Sequence, residues 1–215
     1  VAAIIYGHEK DSFNEEDWTD TDAEGCSAYN KSKTYAEKAA WDFINSDECN
    51  MELSVINPSL VLGPVLESDF GTSVEVVKRF LNGGFPLAPN ISFGIVDVRD
   101  VAQLHLLALE SPQASGNRFI ASSETMAIPS ISMVLREKIP EYKKKLPKGT
   151  APNFLIKLLG LFSPLMKTVA DQLGKTKELD NSKAKNILGW QPRSGEEAVV
   201  ASAKSLIEFD IVKSP

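Results

Sequence analysis

The sequence predicts an α/β fold with a parallel sheet, and three observations carry this prediction. Short apolar runs of strand length alternate with longer segments that are rich in good helix formers. The links between these segments are compact, which is typical of strand–helix–strand units. Finally, 43% hydrophobic and 24% charged residues in a chain of 215 are typical of a globular protein that can bury a core.

The first part of the chain is predicted as a strand, a loop and a helix. Residues 1–6 form an apolar run that a glycine ends, which indicates a strand. Residues 8–25 are polar and acidic and indicate a surface loop, in which Phe13 and Trp18 are the anchors. Residues 29–45 are rich in Ala, Lys and Glu and therefore predict a helix.

The next segment is predicted as a second strand followed by a candidate binding loop. The strand covers residues 51–57, because the proline at position 58 cannot continue a central ladder. Residues 60–64 are interpreted as an apolar loop that a Gly-Pro turn closes. Ligands of α/β folds bind at the carboxyl ends of parallel strands, so this loop is expected near a ligand.

The rest of the chain continues the alternation of helices and strands. A helix over residues 97–109 would begin with Asp97 and Asp100 as cap and first-turn acid rather than as a catalytic pair. His105 is predicted to be a packed side chain of this helix and not a ligand. The other predicted elements are helices over 73–81, 128–139, 152–162, 165–169, 180–188 and 194–209, and strands over 93–96 and 117–121.

Charge and cysteine content narrow the classes of function. A net charge of −6 without a long basic stripe argues against a nucleic-acid partner. The apolar window over residues 154–166 is too short to span a bilayer, so we predict a buried or pocket-lining helix and no membrane partner. Cys26 and Cys49 fit neither a disulfide framework nor a metal motif. These cysteines favour a cytoplasmic protein, and no metal site is predicted.

Tyr29 and Lys33 are the candidate catalytic residues. Four residues of separation is about one helical turn, so the phenol and the ammonium group can lie on one face. A nearby cation favours the phenolate, and such a pair can donate a proton to a carbonyl oxygen as hydride reaches the carbon. Tyr6 and Lys10 have the same spacing, but a glycine follows Tyr6 and no helix is predicted there. Spacing alone also fits an ordinary solvated helix face.

Several short motifs follow one another in a specific order. They are Tyr-Asn-Lys-Ser-Lys at 29–33 with Ala-Glu-Lys-Ala-Ala at 36–40, Asn-Pro at 57–58, Val-Leu-Gly-Pro at 61–64, Val-Asp-Val-Arg-Asp-Val-Ala at 96–102, Ser-Lys-Ala at 182–184 and Leu-Gly-Trp-Gln-Pro at 188–192. Together they resemble the extended short-chain dehydrogenase/reductase family, within the NAD-dependent epimerase/dehydratase superfamily. The resemblance is to its dihydroflavonol reductase and cinnamoyl-CoA reductase-like side, and it covers nearly the whole chain.

The resemblance implies a Rossmann-like NAD(P)-binding fold and a role for each site residue. Tyr29 would be the catalytic acid/base, and Lys33 would hold the nicotinamide ribose, so both would also bind the cofactor. The backbone around Pro58, Leu60 and Val61 would border the nicotinamide. The implied function is NAD(P)-dependent reduction of an aldehyde or a dihydroflavonol-like ketone, with hydride from the nicotinamide and the proton from Tyr29.

The resemblance also implies a division of the chain into two parts. Residues 1–62 and 92–110 would be the C-terminal remainder of the NAD(P)-binding domain. Residues 63–91 and 111–215 would form mainly a small mixed substrate-binding region. The apolar window in this region favours a hydrophobic, small-molecule carbonyl substrate, and a homodimer is left open.

Two parts of the family pattern are missing from this sequence. No glycine-rich dinucleotide motif is found, and the catalytic serine or threonine would fall just before Val1. We therefore expect the chain to be the C-terminal portion of a reductase, inactive by itself and a poor binder of nicotinamide nucleotides. The residue that distinguishes the ribose of NAD from that of NADP would belong to the missing half, so NADP is only slightly favoured over NAD.

Two alternative functions are left open. A nucleotide-sugar epimerase or dehydratase uses the same tyrosine and lysine, but it needs a charged pocket for a diphosphate. A non-catalytic nucleotide-sensing or interaction domain could be built on the same scaffold. The presence of both Tyr29 and Lys33 argues against this second alternative.

Overall fold

The computed structural model describes residues 1–46 and 49–215, apart from the side chains of Pro164, Leu165 and Thr168. Helices and strands are interspersed along these residues, with helices more frequent after Ala127. In chain order they are β1 (Ser12–Phe13), α1 (Ala28–Ile44), β2 (Ser54–Pro58), β3 (Leu60–Leu62), α2 (Glu75–Leu81), β4 (Ser92–Asp97), α3 (Val98–Glu110), β5 (Asn117–Ala121), β6 (Glu124–Ala127), α4 (Ile128–Lys138), α5 (Asn153–Gly160), α6 (Pro164–Asp171), β7 (Glu178–Leu179), α7 (Ser182–Leu188) and α8 (Gly195–Glu208).

The strands pair mainly in parallel, which confirms the predicted α/β class. β2 pairs with β5, so that Ser54 lies opposite Asn117 and Pro58 lies opposite Ala121. β3 pairs in parallel with β4, and β6 joins the other edge of β4 in the antiparallel direction. β1 and β7 form a short parallel pair. The predicted domain boundaries remain a prediction, although β5 of the second part pairs with β2 of the first.

The largest apolar core lies between the β3–β4–β6 sheet and the helices α2, α4 and α8. Phe80, Ile95, Leu135 and Leu206 are fully buried in it. A second cluster forms around Phe119 and is contributed by α3, β5 and α7. The helices α2, α4 and α8 pack on this sheet with their apolar faces, as expected for an α/β fold.

Local signals define several helix ends. Ser194 and Glu197 form a complete capping box at the start of α8. Asp97 caps α3 by accepting a hydrogen bond from the Arg99 N–H, which confirms its predicted role. α7 ends at Gly189, which has the left-handed φ of 63° that favours glycine. These ends were predictable because each depends on residues within a few positions.

Two predictions about the first 64 residues are wrong. Residues 1–6 form turns instead of a strand, with the Ile4 and Ile5 N–H groups donating to the Val1 carbonyl oxygen. An apolar run indicates that the residues are buried, but it does not show that a neighbouring strand is present to pair with them. Residues 60–64 are not a loop throughout, because Leu60–Leu62 forms β3 through its pairing with the distant β4.

Other predictions fail where burial or pairing depends on distant residues. The strands β1, β6 and β7 were not predicted, because each is only two to four residues long. His105 is exposed on α3 rather than packed, and its Nδ1 lies 2.8 Å from the Val101 carbonyl oxygen. The apolar window does form helices, but Phe154 and Phe162 are exposed rather than buried. In the described parts of the chain, we find no helix with the length and apolar character needed to cross a membrane.

Candidate active site

The start of α1 places the first candidate catalytic residue. The Ser27 Oγ accepts a hydrogen bond from the Asn30 N–H at 3.1 Å. This contact satisfies one of the backbone donors that a helix start leaves unpaired. The helix therefore begins at Ala28, and Tyr29 lies in its first turn.

Tyr29 and Lys33 lie one turn apart on the same face of α1, as predicted. The Lys33 Nζ is 5.6 Å from the centroid of the Tyr29 ring. Tyr29 is 64% exposed and Lys33 is also exposed. Among the described residues, no carboxylate forms an ion pair with Lys33. The ammonium group is thus placed to interact with the phenol or with a ligand.

Pro58, Leu60 and Val61 lie where the chain passes from one sheet to another. β2 ends at Pro58 beside β5, and after Ser59 the chain continues as β3 beside β4. The Ser59 N–H donates to the Ala121 carbonyl oxygen at 3.0 Å, which fixes this crossing. All three candidate residues are half-buried. They lie at or after the carboxyl end of a parallel strand, where α/β folds bind ligands.

The two sets of predicted site residues are linked indirectly. No hydrogen bond or ion pair within the described residues joins Tyr29 or Lys33 to the β2–β3 crossing. The link runs instead through Glu37 of α1, whose Oε1 lies 3.5 Å from the Asn57 Nδ2. Asn57 immediately precedes Pro58 and is buried. The structure therefore brings the tyrosine and lysine together, and it attaches their helix to the end of β2.

The acidic loop over residues 8–25 packs on the start of the chain. The Thr19 N–H donates to the Ala3 carbonyl oxygen at 2.9 Å. Burial raises the pKa of the Glu15 carboxyl, although the Ile120 N–H donates to it. Burial acts on Asp17 in the same direction, but hydrogen bonds from Lys10 and the backbone outweigh it and hold the Asp17 pKa below its usual range. The loop is therefore held by specific polar contacts.

Sequence reasoning did not identify Arg118 as part of this region. Arg118 lies on β5, and its guanidinium forms an ion pair with Glu37 in which both side chains are more than nine-tenths buried. Glu37 was noted as part of a motif but received no role. The available signal was an arginine next to the apolar residues 119–121 of a predicted strand, because a charge at such a position needs a buried partner.

Within the part of the chain that the structure describes, neither a metal cluster nor the cavity beside α8 involves these residues. In residues 1–46 and 49–215, no three His, Cys, Asp or Glu side chains come together as a metal site would require. A cavity of about 290 Å³ is lined by Arg99, Lys138 and residues of α8, without any residue of α1. The candidate site is therefore an exposed helix face, not this cavity.

The family follows from comparison with known sequences. Residues 2–121, more than half of the chain, match the NAD dependent epimerase/dehydratase family. The chain belongs to this family, which confirms the resemblance noted from its motifs.

Similar proteins with known names include reductases. The chain is 32% identical over 212 residues to the NADPH-dependent methylglyoxal reductase of Saccharomyces cerevisiae, covering 93% of the chain and 58% of that protein. It is 35% identical over 196 residues to a cinnamoyl-CoA reductase of Medicago truncatula, covering 83% of the chain and 58% of that protein. The crystal structure of the yeast methylglyoxal/isovaleraldehyde reductase complexed with NADPH superimposes with a TM-score of 0.76 at 29% identity, covering 97% of the chain and 62% of that structure. The chain thus spans about three fifths of the length of these relatives.

Proposed function

We propose that this chain carries the proton-transfer residues of an NADPH-dependent carbonyl reductase. The observation that carries the proposal is the position of the Lys33 ammonium 5.6 Å from the ring of Tyr29 on an exposed face of α1. The names of the yeast relatives support NADPH, and those of the yeast and Medicago relatives support reduction. NADP(H) is accordingly proposed in preference to NAD(H).

The residues of the chain fit a nicotinamide cofactor in their chemistry. Tyr29 and Lys33 would hold the nicotinamide ribose through a hydroxyl and an ammonium group that are both exposed. Pro58, Leu60 and Val61 would border the nicotinamide at the β2–β3 crossing. When bound, this cofactor supplies the hydride that reduces the carbonyl carbon.

The role of Tyr29 is that of a general acid. Its hydroxyl donates a proton to the carbonyl oxygen of the substrate, which becomes an alcohol. The ammonium group of Lys33 stabilises the phenolate that remains, because opposite charges at this distance attract. In the reverse reaction the phenolate accepts the proton of the alcohol.

The substrate is proposed to be a small carbonyl compound with an apolar body. Support comes from the apolar side chains that the 154–162 segment exposes, among them Phe154, Leu158, Leu161 and Phe162.

The division into a cofactor part and a substrate part is proposed with the boundaries given above. A cytoplasmic location is also proposed, because Cys26 and Cys49 are both free thiols. The proposal does not require a dimer.

The test is an assay of the complete gene product that contains this sequence, with NADPH and a panel of aldehydes and ketones. We expect Tyr29→Phe to lower kcat about 10²- to 10⁴-fold, which is the usual contribution of a general acid. The control is Tyr35→Phe, because Tyr35 is another exposed tyrosine of α1 and should leave kcat unchanged. Equal activity of the two variants would refute the role of Tyr29. Conversion of a nucleotide sugar without turnover of any carbonyl compound would instead favour an epimerase or dehydratase.

A further inference from the structure

The side chains of Arg118 and Glu37 form a two-point ion pair between β5 and α1. The Arg118 Nε donates to the Glu37 Oε1 at 2.5 Å, and the Arg118 Nη2 donates to the Glu37 Oε2 at 3.3 Å. Arg118 is 7% exposed and Glu37 is 9% exposed. Burying two charges is costly, so such a pair persists only with good geometry and additional hydrogen bonds.

The remaining donors of Arg118 bind the loop that leads into α1. Its Nη1 donates to the carbonyl oxygens of Glu15 and Asp17, each at 2.7 Å. The guanidinium carbon also lies 3.8 Å from the centroid of the Trp18 ring, which is a stacking distance. One buried cation thus holds both the helix and the loop that precedes it.

Glu37 makes further contacts that reach the end of β2. Its Oε1 lies 3.5 Å from the Asn57 Nδ2 and 3.4 Å from the Trp41 Nε1. Asn57 is the residue before Pro58, which belongs to the proposed nicotinamide border. The pair therefore joins three elements of the proposed site: α1, the acidic loop and the β2–β3 crossing.

We propose that Arg118 and Glu37 are positioning residues for the reduction, because they set where α1 presents Tyr29 and Lys33. This inference rests on the proposed function. Glu37 lies one turn after Lys33 and two turns after Tyr29 on the same helix, so a shift at the ion pair is carried to both. Reaction rates are sensitive to such shifts, since a misplacement of 1 Å costs about 10²-fold.

A purely structural role of the ion pair predicts different behaviour. A buried pair that only supports the fold would lower stability when broken but leave the turnover of the folded fraction unchanged. The chain offers a matched control in Asp100, which is 1% exposed and accepts hydrogen bonds from the backbone and side chain of Arg193. This second pair joins α3 to the segment before α8, and within residues 1–46 and 49–215 it forms no hydrogen bond or ion pair with α1.

The experiment compares Glu37→Gln, Arg118→Lys and Asp100→Asn in the complete gene product. For each variant we would measure Tm, kcat at saturating NADPH normalised to the concentration of NADPH-bound enzyme, and the KM of the carbonyl substrate. We expect all three to lower Tm. Only the first two should also lower kcat, about 10- to 100-fold, because they misplace the reacting groups. Should Arg118→Lys fail to fold, the isosteric Glu37→Gln carries the comparison.

A second measurement tests the positioning without relying on turnover. Amide hydrogen exchange in residues 28–36 should become at least about tenfold faster in Glu37→Gln and stay unchanged in Asp100→Asn. The inference is overturned if Glu37→Gln retains both the kcat of Asp100→Asn and the slow exchange of the wild type. If the wild type reduces no carbonyl compound, the proposed function fails, and the exchange result alone decides whether the ion pair positions α1.

Discussion

The helices α1 and α8 have similar lengths but are attached to the fold by different kinds of contact. α8 buries seven of its 14 residues, whereas α1 buries two of its 17. The two buried residues of α1, Thr34 and Glu37, are both polar. α8 is thus fixed by apolar packing in the main core together with two buried serines, Ser202 and Ser205. α1 is fixed mainly by the polar contacts of Glu37. The comparison indicates that changes in the packing of α8 should lower stability alone, whereas breaking the polar contacts of α1 should lower both stability and the proposed catalysis.

The largest expected effect is on stability when the apolar packing of α8 is reduced. Leu206→Ala should lower the free energy of unfolding by about 2–5 kcal/mol, because Leu206 is fully buried in the main core. Phe43→Ala on α1 should change it by less than about 1 kcal/mol, since Phe43 is more than half exposed. Urea unfolding of the two variants checks this contrast. Similar decreases in the free energy of unfolding for both variants would show that the two helices depend on apolar packing to the same degree.

The next effect concerns the buried hydroxyl groups of the two helices. The Ser202 Oγ of α8 accepts from the Gly63 N–H at 2.7 Å and donates to the Gly63 carbonyl oxygen at 2.8 Å. Ser202→Ala should therefore cost about 1–3 kcal/mol, because it leaves a buried N–H unpaired. The Thr34 hydroxyl of α1 donates only to the Asn30 carbonyl oxygen of its own helix.

Thr34→Ala is the matched variant on α1. We expect it to cost less than about 1 kcal/mol, because no donor is left without a partner and alanine favours helix formation. The same urea titration measures both variants. If Thr34→Ala lowered the free energy of unfolding as much as Ser202→Ala, α1 would be packed more tightly than the exposure of its side chains indicates.

The same contrast separates what the sequence could predict from what it could not. The helix over 28–44 and the common face of Tyr29 and Lys33 depend on local composition and spacing, so they were predictable. The strand β3 exists because it pairs with β4 more than 30 residues later, and its short apolar run was interpreted as a loop. The bond between Glu37 and Arg118 spans 81 positions of the chain, and no local pattern predicts it.

A smaller effect is expected from the helix caps. Ser27→Ala and Ser194→Ala should each cost about 1 kcal/mol, because each serine side chain satisfies a backbone donor at the start of its helix. Only Ser27→Ala should also reduce turnover, since it loosens the turn of α1 that carries Tyr29. Kinetics and unfolding of the two variants in the complete gene product check this. Loss of turnover in Ser194→Ala alone would contradict the separate roles of the two helices.

The smallest effect tests whether polar attachment makes a helix sensitive to acid. Asp97 is fully buried at the start of α3, and Arg99 forms an ion pair with it at 2.7 Å. Burial raises the pKa of Asp97, but the hydrogen bonds from Arg99 outweigh it and place the pKa below the usual 3.8. Because the folded pKa is depressed, this stabilisation is present above pH 3.8 and is lost as the pH falls through the folded pKa.

Asp97→Asn isolates this contribution, because asparagine keeps a capping oxygen but carries no charge. At neutral pH, the free energy of unfolding of the wild type should exceed that of the variant by less than about 1 kcal/mol, because solvent screens the partly exposed Arg99 side chain. This difference in the free energy of unfolding should shrink as the pH falls below the usual carboxyl value. A difference that stays constant from pH 7 to acid would mean that the Asp97 charge contributes nothing. The attachment of α3 would then resemble the apolar packing of α8 more than the ion-paired contact of α1.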